Sequence, residues 1–138
     1  MSTDTFLVGA YNHPRPVRTV TVQGQEGDVQ HESLSDKTYK LDESWFTFVQ
    51  HEKTVIITER LANKVLMFSL ETGWATTVED DVIVEPICVS GGGIQGSVFV
   101  CSLKTDSIVQ LSGRGEVVKS HSVGMIMGVT WWSEKFEQ

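Results

Sequence analysis

Short runs of Val, Ile, Phe and Thr recur along the chain, and clusters of Gly, Asn, Asp and Ser separate them. No window keeps an apolar stripe at helical spacing, whereas period-two alternation over short stretches is common, so the pattern predicts strands. The expected strands are Phe6–Ala10, Arg18–Val22, Phe46–Gln50, Thr54–Thr58, Lys64–Ser69, Trp74–Val78, Ile87–Ser90, Val98–Ser102, Ser107–Ser112, Glu116–Ser120 and Met127–Trp132. Fainter signals lie near Asp28–His31 and Val82–Val84. The expectation is an all-β protein.

The strands repeat as a set. Val55, Ile56 and Ile57 match Val98, Phe99 and Val100 at an offset of 43. Val65 then matches Ile108, Phe68 matches Leu111, and Gly73 matches Gly115 after a one-residue deletion. A fainter copy lays Arg18–Gly27 over Lys64–Gly73 at an offset of 46. A further strand precedes each later copy: Phe46–Gln50, Pro86–Ser90 and, at the C-terminus, the Met127–Trp132 run.

A period of about 40–45 residues carrying four strands is the spacing of a β-propeller blade. With strands lettered A to D from the axis outward, the chain reads B-C-D, A-B-C-D, A-B-C-D, A. This predicts one propeller-like domain over 1–138, with blade 2 at about 45–84 and blade 3 at about 86–121. Blade 1 takes about 5–31 together with a C-terminal strand at 126–133, an arrangement that leaves no open sheet edge.

The runs VIITERLANKVLMFSLETG (55–73) and VFVCSLKTDSIVQLSGRGE (98–116) resemble NHL-type repeats, as in the C-terminal propellers of tripartite-motif proteins. Asn63, Lys64, Val65, Phe68 and Gly73 follow that pattern. Glu59 and Ser102 stand where Asp is usual, and Ser107 stands in place of Arg. The resemblance implies a six-bladed ring, of which three blades are half. Three outcomes are then open: a piece of a longer product, two copies closing one ring, or sheets collapsed into a barrel or sandwich. It also implies a non-catalytic protein-interaction module, presenting loops for substrate recognition in a ubiquitin-ligase setting. Two cysteines cannot hold the zincs of a RING, so ligase chemistry would belong to a longer parent chain. The alternatives are a fragment of a calcium-dependent propeller hydrolase of the lactonase kind and an RNA-binding propeller face.

Charge narrows these choices. Of 138 residues, 18 are Asp or Glu and 11 are Lys or Arg, for a net charge of −7. Nucleic-acid binding rests on cations that neutralise phosphates, and anionic membranes ask for the same, so the balance argues against both. The opening MSTDTFLVGAY has no basic n-region or long apolar run, and a cytoplasmic protein is expected. The expected partner is a protein, or a second copy in a closed ring. Cys88 and Cys101 sit in apolar runs and read as buried, reduced thiols, a disulfide or a reactive thiol being the alternatives.

Candidate chemistry is sparse. His13, His31, His51 and His121 match no metal-ligand spacing, and no cofactor is implied. His51-Glu52 reads as a solvated A–B turn. The GGGIQG run at 91–96 lies between strands and lacks the following helix a phosphate cradle needs, so it reads as a hairpin loop. Glu79, Asp80 and Asp81, with Glu71 and Glu85, fall in a span free of Lys and Arg between Lys64 and Lys104. They are candidates for an acidic face that meets a basic peptide or loosely holds Ca²⁺, although the run lacks the alternate spacing of a calcium loop. Trp131, Trp132 and Phe136 are the candidate apolar binding residues, because Trp is enriched at binding hot spots. Trp45 and Trp74 are expected between blades. No nucleophile elbow or catalytic triad can be assembled, so the chain is expected not to be an enzyme.

Overall fold

The computed structural model describes residues 4–91, 96–124 and 126–129. The chain divides between Asp42 and Glu43 into two compact units. Eleven strands and three 3-10 turns (Glu32–Leu34, His51–Lys53, Arg60–Ala62) make up the regular structure of the described residues. Among the described residues, no helix is long and apolar enough to cross a membrane.

In the first unit, β1 (Thr5–Gly9), β2 (Val17–Thr21) and β3 (Glu26–Asp28) form an antiparallel sheet in that order. The ion pairs Arg15–Asp28 (2.6 Å) and Arg18–Glu26 (3.0 Å) tie the outer strand to the rest. The second unit holds two four-stranded meanders. One is β4 (Ser44–Val49), β5 (Thr54–Glu59), β6 (Lys64–Ser69) and β7 (Ala75–Val78); the other is β8 (Pro86–Gly91), β9 (Val98–Ser102), β10 (Ser107–Leu111) and β11 (Val117–Ser122).

The repeat offset survives in the hydrogen-bond register. Val55 pairs with Phe68 across β5 and β6, and Val98 pairs with Leu111 across β9 and β10, each 43 positions on. Asn63 (φ 56) and Asp106 (φ 49) hold the same left-handed position in the two β-hairpins. At the following turn, Ser69 Oγ accepts the amides of Glu71 and Thr72, while Ser112 Oγ accepts those of Arg114 and Glu116. Gly73 and Gly115 close these turns at φ 78 and 85, where a β-carbon would be strained.

The first sheet repeats this turn as well. Thr21 Oγ1 accepts the Gln25 amide, and Gly24 has φ 88. Gly24 is therefore the counterpart of Gly73, and the expected offset of 46, which matched Gly27, is corrected to 48 through the strand, Thr21 to Ser69, and 49 at the glycine. Gly27 lies inside β3 opposite Thr19 and closes no turn. The strand expected near Asp28–His31 begins two residues earlier, at Glu26. Val82–Val84 forms no strand and serves as part of the crossover from β7 to β8. Residues 126–129 are not in a strand, and Thr130–Gln138 lies outside the described residues, so the expected C-terminal strand has no counterpart among those described.

The two sheets of the second unit pack face to face. Ile56, Val65, Met67 and Val78 of one meet Val98, Val100, Val109 and Leu111 of the other, with Val49 and Ile83 completing a buried core. Each such side chain contributes roughly 1.5–3 kcal/mol by leaving water. Gly91 on β8 faces Val49 so closely that a β-carbon there would overlap the valine methyl.

Cys88 and Cys101 are directly opposed across β8 and β9 and form a disulfide, with Cα atoms 5.1 Å apart. The expected reduced thiols are corrected. Their apolar runs do bury them, but antiparallel register puts the two side chains within bonding reach, on one face of the sheet.

Candidate functional site

An antiparallel meander sends alternate turns to opposite ends of its sheet. The β4–β5 and β6–β7 turns therefore share one end with the β10–β11 turn of the neighbouring sheet. At that end His51, Ser97, Ser112, Gly113, Arg114, Glu116 and Val118 line a cleft of about 610 Å³. Arg114 is its organising group. Its guanidinium donates to Glu52 Oε2 at 3.1 Å and lies 5.0 Å from the centre of the Trp74 ring, within cation–π range.

Backbone geometry fixes Glu52 in place. Glu52 and Lys53 both adopt left-handed conformations (φ 54 and 48), unusual for residues with side chains. The Ser69 hydroxyl donates to Glu52 O at 2.5 Å, and the Leu70 amide donates to Lys53 O at 2.9 Å. These bonds clamp the β4–β5 turn to the β6–β7 turn and leave the Glu52 carboxylate directed at the next sheet. His51 Nε2 lies 3.6 Å from the same carboxylate, and Gly96 packs beneath its ring. The His51 and Arg114 side chains are each 53% exposed, so both remain open to a ligand.

The acidic run lies at the other end of the sheets. Glu79, Asp80 and Asp81 are exposed on the β7–β8 crossover. Asp80 Oδ1 accepts the Val82 amide at 3.0 Å, which makes it a turn-forming residue. Glu85, expected to lack a cation, is paired with Arg60 at 3.0 Å, from outside the cation-free span; its amide also donates to Asn63 Oδ1 at 2.8 Å.

Next to it, Thr105 Oγ1 lies 2.9 Å from Val82 O and 2.6 Å from Ser102 Oγ, and Ser102 Oγ accepts the Val84 amide at 2.9 Å. Ser102 thus anchors the crossover. Trp131, Trp132 and Phe136 lie outside the described residues. Among the described residues, no three His, Cys, Asp or Glu side chains are grouped as a metal site would require.

The acidic run is legible in the sequence and the cleft is not: His51-Glu52 reads there as a solvated turn, and Arg114 carries no role. One signal was available: the repeat already put 50–53, 70–74 and 112–116 at the same end of successive sheets. Trp74, expected between sheets, does pack against the shared core, with Arg114 over its ring.

No protein-family profile and no curated protein matches the chain. Solved structures do. Virginiamycin B lyase from Staphylococcus aureus superposes with a TM-score of 0.60 at 13% identity, over 89% of this chain and 39% of its own. The WD40 domain of Neurospora crassa Pan2 gives 0.54 at 15% identity, over 90% of this chain and 40% of its own. Hydrazine synthase from Kuenenia stuttgartiensis gives 0.54 at 19% identity, over 75% of this chain and 29% of its own. The chain spans about two fifths of the lyase and WD40 structures. At these identities the likeness concerns fold alone, and a lyase and a WD40 domain share it equally. The chain is all-β with propeller-type sheets.

Proposed function

We propose that this chain is a non-catalytic recognition module, a partial propeller of NHL type that holds a partner polypeptide in the cleft beside Arg114. The observation that carries the reading is that turns from two successive sheets build the cleft around one clamped guanidinium. Packing consumes the facing sides of the sheets, which leaves the turns at their ends for recognition. The cleft combines a cation, an imidazole, one carboxylate, hydroxyls and Val118. That mixture suits a peptide, whose backbone and side chains offer donors, acceptors and apolar groups together.

The NHL-type pattern supports substrate recognition in a ubiquitin-ligase setting, with the ligase chemistry on another polypeptide segment. Glu79 and Asp81 form a separate exposed surface for a basic stretch of the same partner.

The test is selection of displayed peptides on the whole chain, followed by counter-screening on Arg114→Glu. The reading expects enriched peptides that lose binding to the variant while its β-sheet circular dichroism is unchanged. Failure to enrich any peptide, or equal binding to the variant, would overturn it.

A further inference from the structure

Arg114 spends little of its hydrogen-bonding capacity inside the chain. A guanidinium carries five N–H donors in a planar fork. Among the described residues one of them bonds, from Nη2 to Glu52 Oε2 at 3.1 Å. Nη2 bears two hydrogens, one on the edge it shares with Nε and one on the edge it shares with Nη1. Whichever of them Glu52 takes, the other edge keeps both of its parallel donors.

The contacts that Arg114 does make hold this fork still. Glu52 grips one edge from a turn whose backbone is itself bonded to Ser69, and the Trp74 ring lies 5.0 Å from the guanidinium. A side chain already fixed in this way loses little rotamer freedom when a ligand binds.

The neighbouring groups are donors as well. Ser112 Oγ accepts the amides of Arg114 and Glu116, which leaves its own proton to give. The Gly113 amide has no partner among the described residues. Three consecutive residues of the cleft wall, Ser112, Gly113 and Arg114, thus carry unspent donors.

Charge decides which acceptor they suit. Glu52 offsets the charge of Arg114, and Glu116, exposed in the cleft lining, adds a negative one. That leaves no surplus cation for a doubly charged phosphate. A carboxylate on the open edge lies nearer to the guanidinium than to Glu52, so attraction outweighs repulsion for a single charge. Its two coplanar oxygens match two parallel N–H groups, whereas a neutral amide offers one oxygen and a bond about half as strong.

We propose that the ligand of this cleft presents a carboxylate, from an acidic side chain or a free C-terminus, to the open edge of Arg114. The proposal rests on the reading that the cleft holds a polypeptide.

The experiment uses three pools of synthetic random peptides. The first contains Asp and Glu and ends in a carboxamide. The second lacks both residues and ends in a free carboxylate, and the third lacks every carboxylate. Each pool is equilibrated with the immobilised whole chain, with Arg114→Lys and with Arg114→Gln, and the captured peptides are quantified by mass spectrometry. Circular dichroism checks the fold of each protein.

The native chain should capture peptides from the first or second pool at least about tenfold more than Arg114→Gln does, and none from the third. Capture from the first pool identifies an acidic side chain, and capture from the second a C-terminus. Arg114→Lys keeps the charge but loses the fork, and should also fall about tenfold.

Arg114-dependent capture from the third pool, or full capture by Arg114→Lys, overturns the carboxylate and leaves the peptide-binding cleft standing. No capture from any pool, or equal capture by Arg114→Gln, overturns both. If Arg114→Gln loses its β-sheet signal, the three pools on the native chain and on Arg114→Lys still decide.

Discussion

Arg114, on the β10–β11 turn, reaches Glu52, on the β4–β5 turn, at 3.1 Å across 62 residues of sequence. At the opposite end of the same two sheets, Arg60 meets Glu85 at 3.0 Å. The two pairs differ in setting. Arg60–Glu85 holds down the crossover, while Arg114–Glu52 forms the wall of a cleft.

The Arg114–Glu52 pair is half exposed, so its stabilisation is small. A double-mutant cycle with Arg114→Ala and Glu52→Ala is expected to give a coupling of about 0.5–1 kcal/mol in urea denaturation, shrinking as salt rises. Trp74→Ala should lower the coupling further by removing the ring beneath the guanidinium. A salt-independent coupling would contradict the arrangement.

The Cys88–Cys101 bond spans a sequence separation of 13. A loop of that size is stabilised by about 3 kcal/mol on closure. Reductant should therefore lower the thermal midpoint of the native chain and leave a Cys88→Ser/Cys101→Ser variant unmoved. Thiol titration of denatured, unreduced protein should find no free thiol. The bond is favoured in an oxidising compartment, whereas the cytoplasmic placement expected from the sequence would keep it reduced. Thiol labelling in intact cells distinguishes the two.

The crossover predicts unequal costs among neighbouring polar residues. Asp80→Ala removes a turn acceptor and should cost about 1 kcal/mol, while Glu79→Ala and Asp81→Ala stay within about 0.5 kcal/mol of the native chain. Asn63→Ala loses both the Glu85 amide bond and a left-handed conformer, for about 1–2 kcal/mol; Asn63→Gly recovers the backbone part. Chemical denaturation of the five variants checks the order.

Gly91 tests the packing of β8 on β4. Gly91→Ala places a β-carbon into Val49 and should destabilise by about 1–3 kcal/mol. In a Val49→Ala background the same change should cost less. An equal cost in both backgrounds would mean that the two strands do not approach closely.

Most of the fold was legible because it repeats. Matching Val55 to Val98 and Phe68 to Leu111 carried the strand register of one sheet onto the next. The first copy was harder to place, since Gly24 and Gly27 both stand after β2 and only the turn's hydrogen bonds single out Gly24. The disulfide was open to view in composition, yet its pairing depends on a register shift between Pro86 and Cys88 that alternation alone does not reveal. The cleft was hidden for a different reason. Glu52, Trp74 and Arg114 are scattered in sequence and meet only when two sheets align their turns. The acidic run, contiguous and conspicuous, contains a residue, Asp80, that the turn uses for itself.

The central claim is that the cleft beside Arg114 binds a polypeptide. It is tested most directly by calorimetric titration of a selected peptide into the whole chain and into Arg114→Ala, with circular dichroism confirming the fold of each. The account predicts at least a tenfold weaker Kd for the variant, a loss of about 1.4 kcal/mol. Equal affinity for both proteins would contradict it.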